Sequence, residues 1–142
     1  NARFVGSDQK NQPFSITADL AKNLLFGNTK IELEMPKADI TVKDGTWMVL
    51  TANTGIYNQL GQTLSLEGKV NLFHDSGYEF NTKQAKIDLN DGIARSDVQV
   101  TGQGPFGQLT ASGFRIENKG KSIYFTGKSK LVLHPKAIKG TS

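Results

Sequence analysis

The sequence predicts an all-β protein, an elongated and twisted stack of antiparallel strands that is built from repeated hairpins and belongs to the sandwich, jelly-roll or barrel architectures. Three observations predict this class. Apolar and polar residues alternate in short segments, Asp-Gly and similar pairs separate these segments, and a four-residue pattern recurs along the chain. Alternation with a period of two gives a strand one buried face, and glycine after aspartate or asparagine favours tight turns because it tolerates positive φ. The closely spaced turns leave no room for the crossover helices of a parallel sheet.

The first predicted element, residues 17–26, is the only one with a helical alternative. Thr17 is a candidate N-cap and Gly27 a candidate stop, with apolar residues between them. Residues 16–18, Ile-Thr-Ala, also fit a strand, so both interpretations stay open for this segment.

The strands that follow are identified by their alternation. Residues 63–72 alternate most clearly. The same pattern returns with the pairs Tyr78/Phe80, Ile87/Leu89, Val98/Val100, Phe114/Ile116, Ile123/Phe125 and Leu131/Leu133. Polar residues often stand between these apolar residues, which is typical of antiparallel strands that are wet on one side.

A repeat organises these strands. Leu50-Thr51-Ala52-Asn53 returns 30 residues later at 80–83 and again 29 residues after that at 109–112, and residues 16–19 are an earlier copy. Each copy opens a pair of hairpins. Because a single hairpin cannot bury its apolar face, the copies are expected to stack around one shared core.

Length and composition predict one folded domain over residues 1–142, with flexible ends at 1–12 and 135–142. Hydrophobic residues are 37% of the chain and charged residues 21%. This composition is too apolar for a disordered chain. The longest apolar run has four residues, 47–50. A membrane-spanning helix needs about 20 such residues, so none is predicted here. The chain has no cysteine, which excludes disulfides and thiolate chemistry.

The net charge of +4 permits an anionic partner, but the basic residues are scattered. The lysines at 119, 121, 128 and 130 are the densest group. Lysines on a solvent-facing strand edge discourage aggregation, which explains this group without nucleic acid. We therefore predict no nucleic-acid partner.

Candidate catalytic groups are few, and the sequence predicts no catalytic residue, no metal and no cofactor. The two histidines, His74 and His134, stand 60 residues apart. Asp75-Ser76-Gly77 beside His74 fits turn chemistry better than a catalytic dyad. The three aspartates at 88, 91 and 97 lack the spacing of an EF-hand and fit strand and turn positions. The glycine-rich residues 102–107 lack the lysine of a P-loop and are interpreted as a connector.

Two glycines interrupt the apolar face of otherwise regular strands. Gly68 stands at an inward position of residues 63–72, and Gly127 follows Ile123 and Phe125 in the same way. One explanation is a β-bulge or bend. The other is that the missing side chains leave a slot for an apolar guest.

The order and spacing of several segments resemble the periplasmic domain of the LptC family. These segments are residues 44–47, 50–57, 64–73, 75–80, 102–107, 113–116 and 125–133. The resemblance covers about residues 14–133. The related LptA and OstA-like proteins share the repeat.

The resemblance implies an elongated, twisted antiparallel β-jelly roll, open at both ends, with an apolar groove. It also implies a non-enzymatic lipopolysaccharide carrier and scaffold in the periplasm. Such a protein accepts lipid from the inner-membrane ABC exporter and passes it to the next subunit of a transport bridge. An N-terminal helix upstream of Asn1 is expected to anchor the native protein in the inner membrane. The apolar groove is expected to be lined by Leu50, Leu64, Leu66, Val70, Leu72, Phe80, Ile87, Leu89, Ile116, Ile123 and Phe125.

The resemblance also implies joining of subunits by strand addition at open sheet edges. The edge facing the exporter is expected at Phe14, Ile16 and Ala18. The edge facing the bridge subunit is expected at Lys130, Leu131, Val132 and Leu133. Self-association through these edges is left open.

The alternative function is that of a carbohydrate-binding or carbohydrate-processing β-repeat domain, which the repeats and the scattered aspartates would also fit.

Overall fold

The structure, a computed structural model, describes residues 1–8, 10–23, 30–41, 45–105, 107–117 and 122–133. Every regular element in these ranges is a strand, and all strand pairs are antiparallel. The strands are β1 (Ala2–Ser7), β2 (Pro13–Ala18), β3 (Leu20–Asn23), β4 (Lys30–Glu34), β5 (Lys37–Thr41), β6 (Trp47–Thr51), β7 (Thr54–Asn58), β8 (Thr63–His74), β9 (Glu79–Asp88), β10 (Ile93–Ser96), β11 (Val100–Gly104), β12 (Gly107–Ala111), β13 (Gly113–Glu117), β14 (Ser122–Thr126) and β15 (Lys130–Leu133).

These strands form one continuous sheet that is folded into two layers about the long β8–β9 hairpin. The first half of β8 pairs with β7 and its second half with β6, while β9 pairs first with β11 and then with β10. Layer A therefore has the order β1-β2-β5-β6-β8-β9-β11-β12-β15, and layer B has the order β3-β4-β7-β8-β9-β10-β13-β14. This architecture confirms the predicted all-β, jelly-roll-like class.

The chain crosses between the layers along a seam that is itself hydrogen-bonded. It passes from layer A to layer B at residues 18–19, 52–53, 82–83 and 111–112, which are the ends of the four sequence repeats. The amide of Met35 donates to the carbonyl of Asn53 at 2.8 Å, and the amide of Asn53 donates to the carbonyl of Gly68 at 2.8 Å. The recurring pattern is thus the place where the sheet folds over.

Gly68 is a bend and not a slot. The register of β8 against β9 shifts by one residue between Glu67 and Val70, which marks a β-bulge. Gly68 has a φ of +82°, and Lys69 after it has a φ of +46°. Gly127 also has a positive φ, +70°, and stands just before the return to layer A. The two glycines let the chain turn from layer B to layer A.

The hydrophobic core lies between the layers, and aromatic contacts cross it. The ring of Phe80 in layer A stacks on that of Phe114 in layer B, with centroids 6.1 Å apart. Near the N-terminal edge, Phe4 of layer A meets Tyr57 of layer B edge-on at 5.4 Å. Inward side chains from both layers therefore pack into one core, as the shared-core prediction requires.

In the N-terminal segment the strand interpretation of residues 16–18 holds, and the expected sheet edge lies elsewhere. Residues 17–23 form the end of β2 and all of β3 rather than a helix, because their apolar residues pair across strands; residues 24–29 lie outside the described ranges. Residues 2–7 form β1. Because β1 covers β2 on one side and β5 covers it on the other, Phe14, Ile16 and Ala18 lie in an interior strand and not at an edge.

Candidate functional site

An apolar cleft opens between the two layers at the C-terminal end of the molecule. Its volume is about 500 Å³. Strands β9, β11, β12 and β15 of layer A form one wall, and β14 of layer B forms the other. The lining residues are Tyr78, Phe80, Gly102, Gln103, Gly104, Gly107, Leu109, Ile123, Phe125 and Leu131.

The cleft lies where the described strands of both layers end. Ile116 of β13 is fully buried, since β10 and β14 flank its strand. Ile123 on β14 has the same inward direction but is only partly buried, because β14 is the last described strand of layer B. On the opposite wall Leu131 of β15 is 59% exposed. Apolar side chains that would be core elsewhere in the fold therefore face an open space.

Glycines of β11 form part of the cleft wall and hold two aromatic rings. A Cβ on Gly102 would lie 2.7 Å from Cδ1 of Phe80, and a Cβ on Gly104 would lie 2.3 Å from Cδ1 of Tyr78. The two rings therefore lie directly against the strand backbone, where a side chain would otherwise stand. They are stacked on each other, with centroids 6.3 Å apart.

The phenylalanines at the inner end of the cleft fix its depth. Phe80 contacts Phe125 from β14 at a centroid distance of 5.7 Å and also stacks on Phe114. Phe114 is 2% exposed and Phe80 is 4% exposed. These three phenylalanines close the cleft toward the core. Ile123 and Leu109 line the cleft farther outward.

Of the eleven predicted groove residues, the structure places Phe80, Ile123 and Phe125 on the cleft. The other eight lie in the core between the layers with at most 3% exposure: Leu50, Leu64, Leu66, Val70, Leu72, Ile87, Leu89 and Ile116. The sequence interpretation missed Tyr78, Leu109 and the glycines of β11. Tyr78 and Leu109 could have been found from the alternation of apolar and polar residues. The glycines could not, because only the pairing of β11 with β9 brings them against the rings of Phe80 and Tyr78.

The outer face of layer A beside the cleft carries one polar cluster. The carboxylate of Glu79 accepts hydrogen bonds from Asn71 Nδ2 and Gln103 Nε2, both at 2.8 Å. These two bonds, first that from Asn71, lower the pKa of Glu79 below its ordinary value. Glu79 is therefore ionised at neutral pH and tied to the strands on both sides of β9.

His74 and Asp88 form local hydrogen bonds within turns. His74 Nδ1 lies 2.6 Å from Ser76 Oγ and accepts from the Ser76 amide at 3.0 Å, which is a turn interaction. Asp88 Oδ1 accepts from the Asp91 amide at 2.9 Å in the next turn. His134 lies outside the described residues. Within the described ranges, no group of three or more histidine or acidic side chains is arranged to hold a metal ion.

The predicted C-terminal edge lies on β15. Among the described residues this strand pairs only with β12, with Val132 opposite Gln108 and Leu131 opposite Leu109. Its other side is therefore free of strand partners within the part of the chain described. No helix in that part is long and apolar enough to cross a membrane.

Fold and cleft together define a class of protein: a jelly-roll-like antiparallel sheet, folded on itself, that presents an apolar cleft between its layers. Comparison with protein families identifies the particular one. Residues 4–133 match the family described as lipopolysaccharide-assembly, LptC-related, and the chain belongs to this family. Among curated proteins, none matches the chain with significant similarity. Membership places the protein in lipopolysaccharide transport, a process with lipid and protein partners, as the sequence resemblance predicts.

Proposed function

We propose that the protein is a non-enzymatic carrier that holds the acyl chains of lipopolysaccharide in the C-terminal cleft. The observation that carries this proposal is the cleft itself, an open apolar space in a chain of the LptC-related family. Each methylene that leaves water for an apolar cleft gains about 0.8 kcal/mol. An acyl chain that enters the cleft therefore binds strongly without any polar recognition, and the phosphorylated sugar head stays in solvent.

The proposed role also includes passage of the lipid along a bridge in the periplasm, with the whole chain acting as one domain. The protein accepts lipid from the inner-membrane ABC exporter and delivers it to the next bridge subunit. The chain itself carries no nucleotide-binding motif, so an external source of energy drives release. An N-terminal helix that anchors the native protein in the inner membrane belongs to the same proposal.

The sheet edges supply the contacts between subunits in this proposal. Among the described strands, layer A ends at β1 on one side and at β15 on the other. We assign β1 to the exporter side, in place of the interior strand β2, and β15 to the bridge subunit. Strand addition at either edge uses main-chain hydrogen bonds for affinity.

Photo-crosslinking tests the lipid site with matched pairs of positions. A photo-crosslinking amino acid at Leu109 or Ile123 faces the cleft, whereas one at the neighbouring Gln108 or Tyr124 faces away from it. In membranes that export lipopolysaccharide, we expect labelling of the lipid from the first pair and not from the second. Equal labelling from both pairs contradicts the proposed site.

Proline substitutions test the edge at β15. In an antiparallel ladder the amides of adjacent residues point alternately toward and away from a given neighbour, so only one of Leu131 and Val132 donates toward β12. Leu131→Pro and Val132→Pro are therefore each other's control. One is expected to lower the melting temperature, and the other to weaken binding of the bridge subunit by about 2- to 12-fold. If neither variant affects subunit binding, β15 is not the joining edge.

A further inference from the structure

The outer face of layer B carries three cations in one row across adjacent strands. Lys86 on β9 is in register with Arg95 on β10, and Arg95 is in register with Arg115 on β13. All three side chains are exposed on the face opposite the core. Neighbouring strands are about 4.8 Å apart, so the three backbone positions span roughly 10 Å. We refer to Lys86, Arg95 and Arg115 as the cationic row.

This arrangement opposes the usual rule of strand pairing. Like charges directly opposite each other destabilise a sheet, by about 0.2–1 kcal/mol per pair, and the row contains two such pairs. Glutamate or glutamine at the position of Arg95 would avoid both like-charge pairs. Places where a local rule is broken without a compensating partner are frequently functional sites.

Two acidic residues beside the row, Glu117 and Asp88, already accept hydrogen bonds from this chain. Glu117 accepts from Nε of Arg115 at 2.7 Å, which leaves the two terminal nitrogens of that guanidinium for another group. Asp88 accepts from the amide of Asp91 in the adjoining turn. Neither Lys86 nor Arg95 forms an ion pair with a carboxylate of the described residues.

The row also lies in a depression rather than on a flat surface. A pocket of about 300 Å³ is lined by all three cations together with Thr63, Asp88 and Ile93. A second, larger depression of about 580 Å³ adjoins it and shares Lys86 and Arg95; its acidic lining residues are Glu32, Glu67 and Asp97. The smaller pocket thus has three cations and the hydroxyl of Thr63 but only one carboxylate, that of Asp88. Of the two depressions it is therefore the one suited to an anion.

We propose that the cationic row binds phosphoryl groups of a ligand on the outer face of layer B. Arginine presents several donors in a planar fork that matches phosphate oxygens, and lysine adds a mobile charge. A bound phosphoryl group accepts from adjacent members of the row and removes their mutual repulsion. Because this face is on the other side of the sheet from the apolar cleft, the site does not depend on the cleft holding a lipid.

Titration with inorganic pyrophosphate, followed by amide chemical shifts at constant ionic strength, tests the site in the intact chain. We expect saturable shifts centred on the three cationic positions. Arg95→Gln removes the central cation and is expected to weaken binding about tenfold or more, since charge-assisted hydrogen bonds are the strong ones. Arg3→Gln removes the same charge from the exposed outer face of layer A and is the matched control, with less than a twofold effect expected.

Stability measurements separate loss of the site from loss of the fold. Because Arg95→Gln relieves repulsion, its melting temperature is expected to equal or exceed that of the parent chain. A folded Arg95→Gln variant that binds pyrophosphate as well as the parent overturns the proposal. An absence of saturable shifts in the parent chain, or equal weakening by Arg3→Gln, also overturns it.

Vesicles distinguish the two sources of a phosphoryl ligand. Vesicles of phosphatidylcholine with phosphatidic acid present lipid phosphomonoesters, and vesicles of phosphatidylcholine alone are their control. Binding to the first that is lost in Arg95→Gln supports a lipid headgroup. Pyrophosphate binding without vesicle binding supports a soluble or sugar-linked phosphate at the same row.

Discussion

The packing of Phe80 against the backbone of β11 can be tested with one methyl group. In the Gly102→Ala variant the new Cβ would lie 2.7 Å from Cδ1 and 2.8 Å from Cε1 of Phe80. Carbon atoms in contact are ordinarily about 3.5–4.0 Å apart, so the ring must move by roughly 1 Å. It cannot move freely, because Phe114 and Phe125 contact it at centroid distances of 6.1 and 5.7 Å.

The expected loss of stability follows from two opposing effects. Overpacking of a filled site costs about 1–3 kcal/mol. Replacing a glycine inside a strand recovers about 0.5–1 kcal/mol of conformational entropy. The net expectation for Gly102→Ala is a loss of about 1–2 kcal/mol, or roughly 3–10 °C in melting temperature for a chain of this size.

Urea unfolding of a double-mutant cycle isolates the contact. Phe80→Leu removes the ring atoms that meet the new Cβ, so Gly102→Ala is expected to cost at least about 0.5 kcal/mol less in that background. Gly61→Ala, whose Cβ meets only the end of the Asn58 side chain, is the control and should change stability by no more than about 1 kcal/mol. Additive effects of the two substitutions, or a neutral Gly102→Ala, would refute this account of the cleft wall.

The remaining predictions concern the seam, the core and pH. Gly68→Ala is expected to lose about 1–3 kcal/mol in urea unfolding, because its φ is +82° and the new Cβ meets Asn53 Nδ2 at 2.9 Å; an unchanged midpoint would contradict the bend. Thr82→Val is expected to cost about 1–3 kcal/mol by chemical unfolding, since it removes the buried hydroxyl that lies 3.1 Å from Ser96 Oγ. The pKa of Glu79 is lower in the folded state than its ordinary 4.5, so its stabilising effect is present above that pH and is lost as pH falls through the folded value. Glu79→Gln should reduce the pH dependence of the melting temperature below about 4.5, and an identical profile would exclude this role.

Local patterns predicted the strands because a strand with one buried face shows alternating apolar and polar residues along the sequence. The alternation over 63–72 corresponds to β8, where Leu64, Leu66, Val70 and Leu72 are all buried. The first strand, β1, was not predicted in this way. In β1 alternate residues are only half-buried, since the strand lies at an edge, and its alternation is correspondingly weak.

The division between core and cleft was beyond any local pattern. Phe114/Ile116 and Phe125/Ile123 alternate in the same way, yet the first pair is buried and the second lines the cleft. The difference is whether a further strand covers them, and that depends on the order of strands in the sheet. The cationic row is hidden from the sequence for the same reason, because its members come from three strands and meet only through register.

The position of the cleft connects the two parts of the proposed function, which are lipid binding and the joining of subunits. β15 closes one wall of the cleft and is also the last described strand of layer A, and β14 closes the opposite wall and is the last described strand of layer B. A strand that a partner adds to β15 lengthens the wall that carries Leu131, so it extends the apolar surface in the direction of the partner. Under this proposal, binding of the next subunit and continuation of the lipid path are one event. A proline at the outward-donating position of β15 is then expected to reduce subunit binding and lipid transfer together, while crosslinking of lipid at Leu109 persists. If transfer continues at the parental rate after subunit binding is lost, the edge and the lipid path are separate.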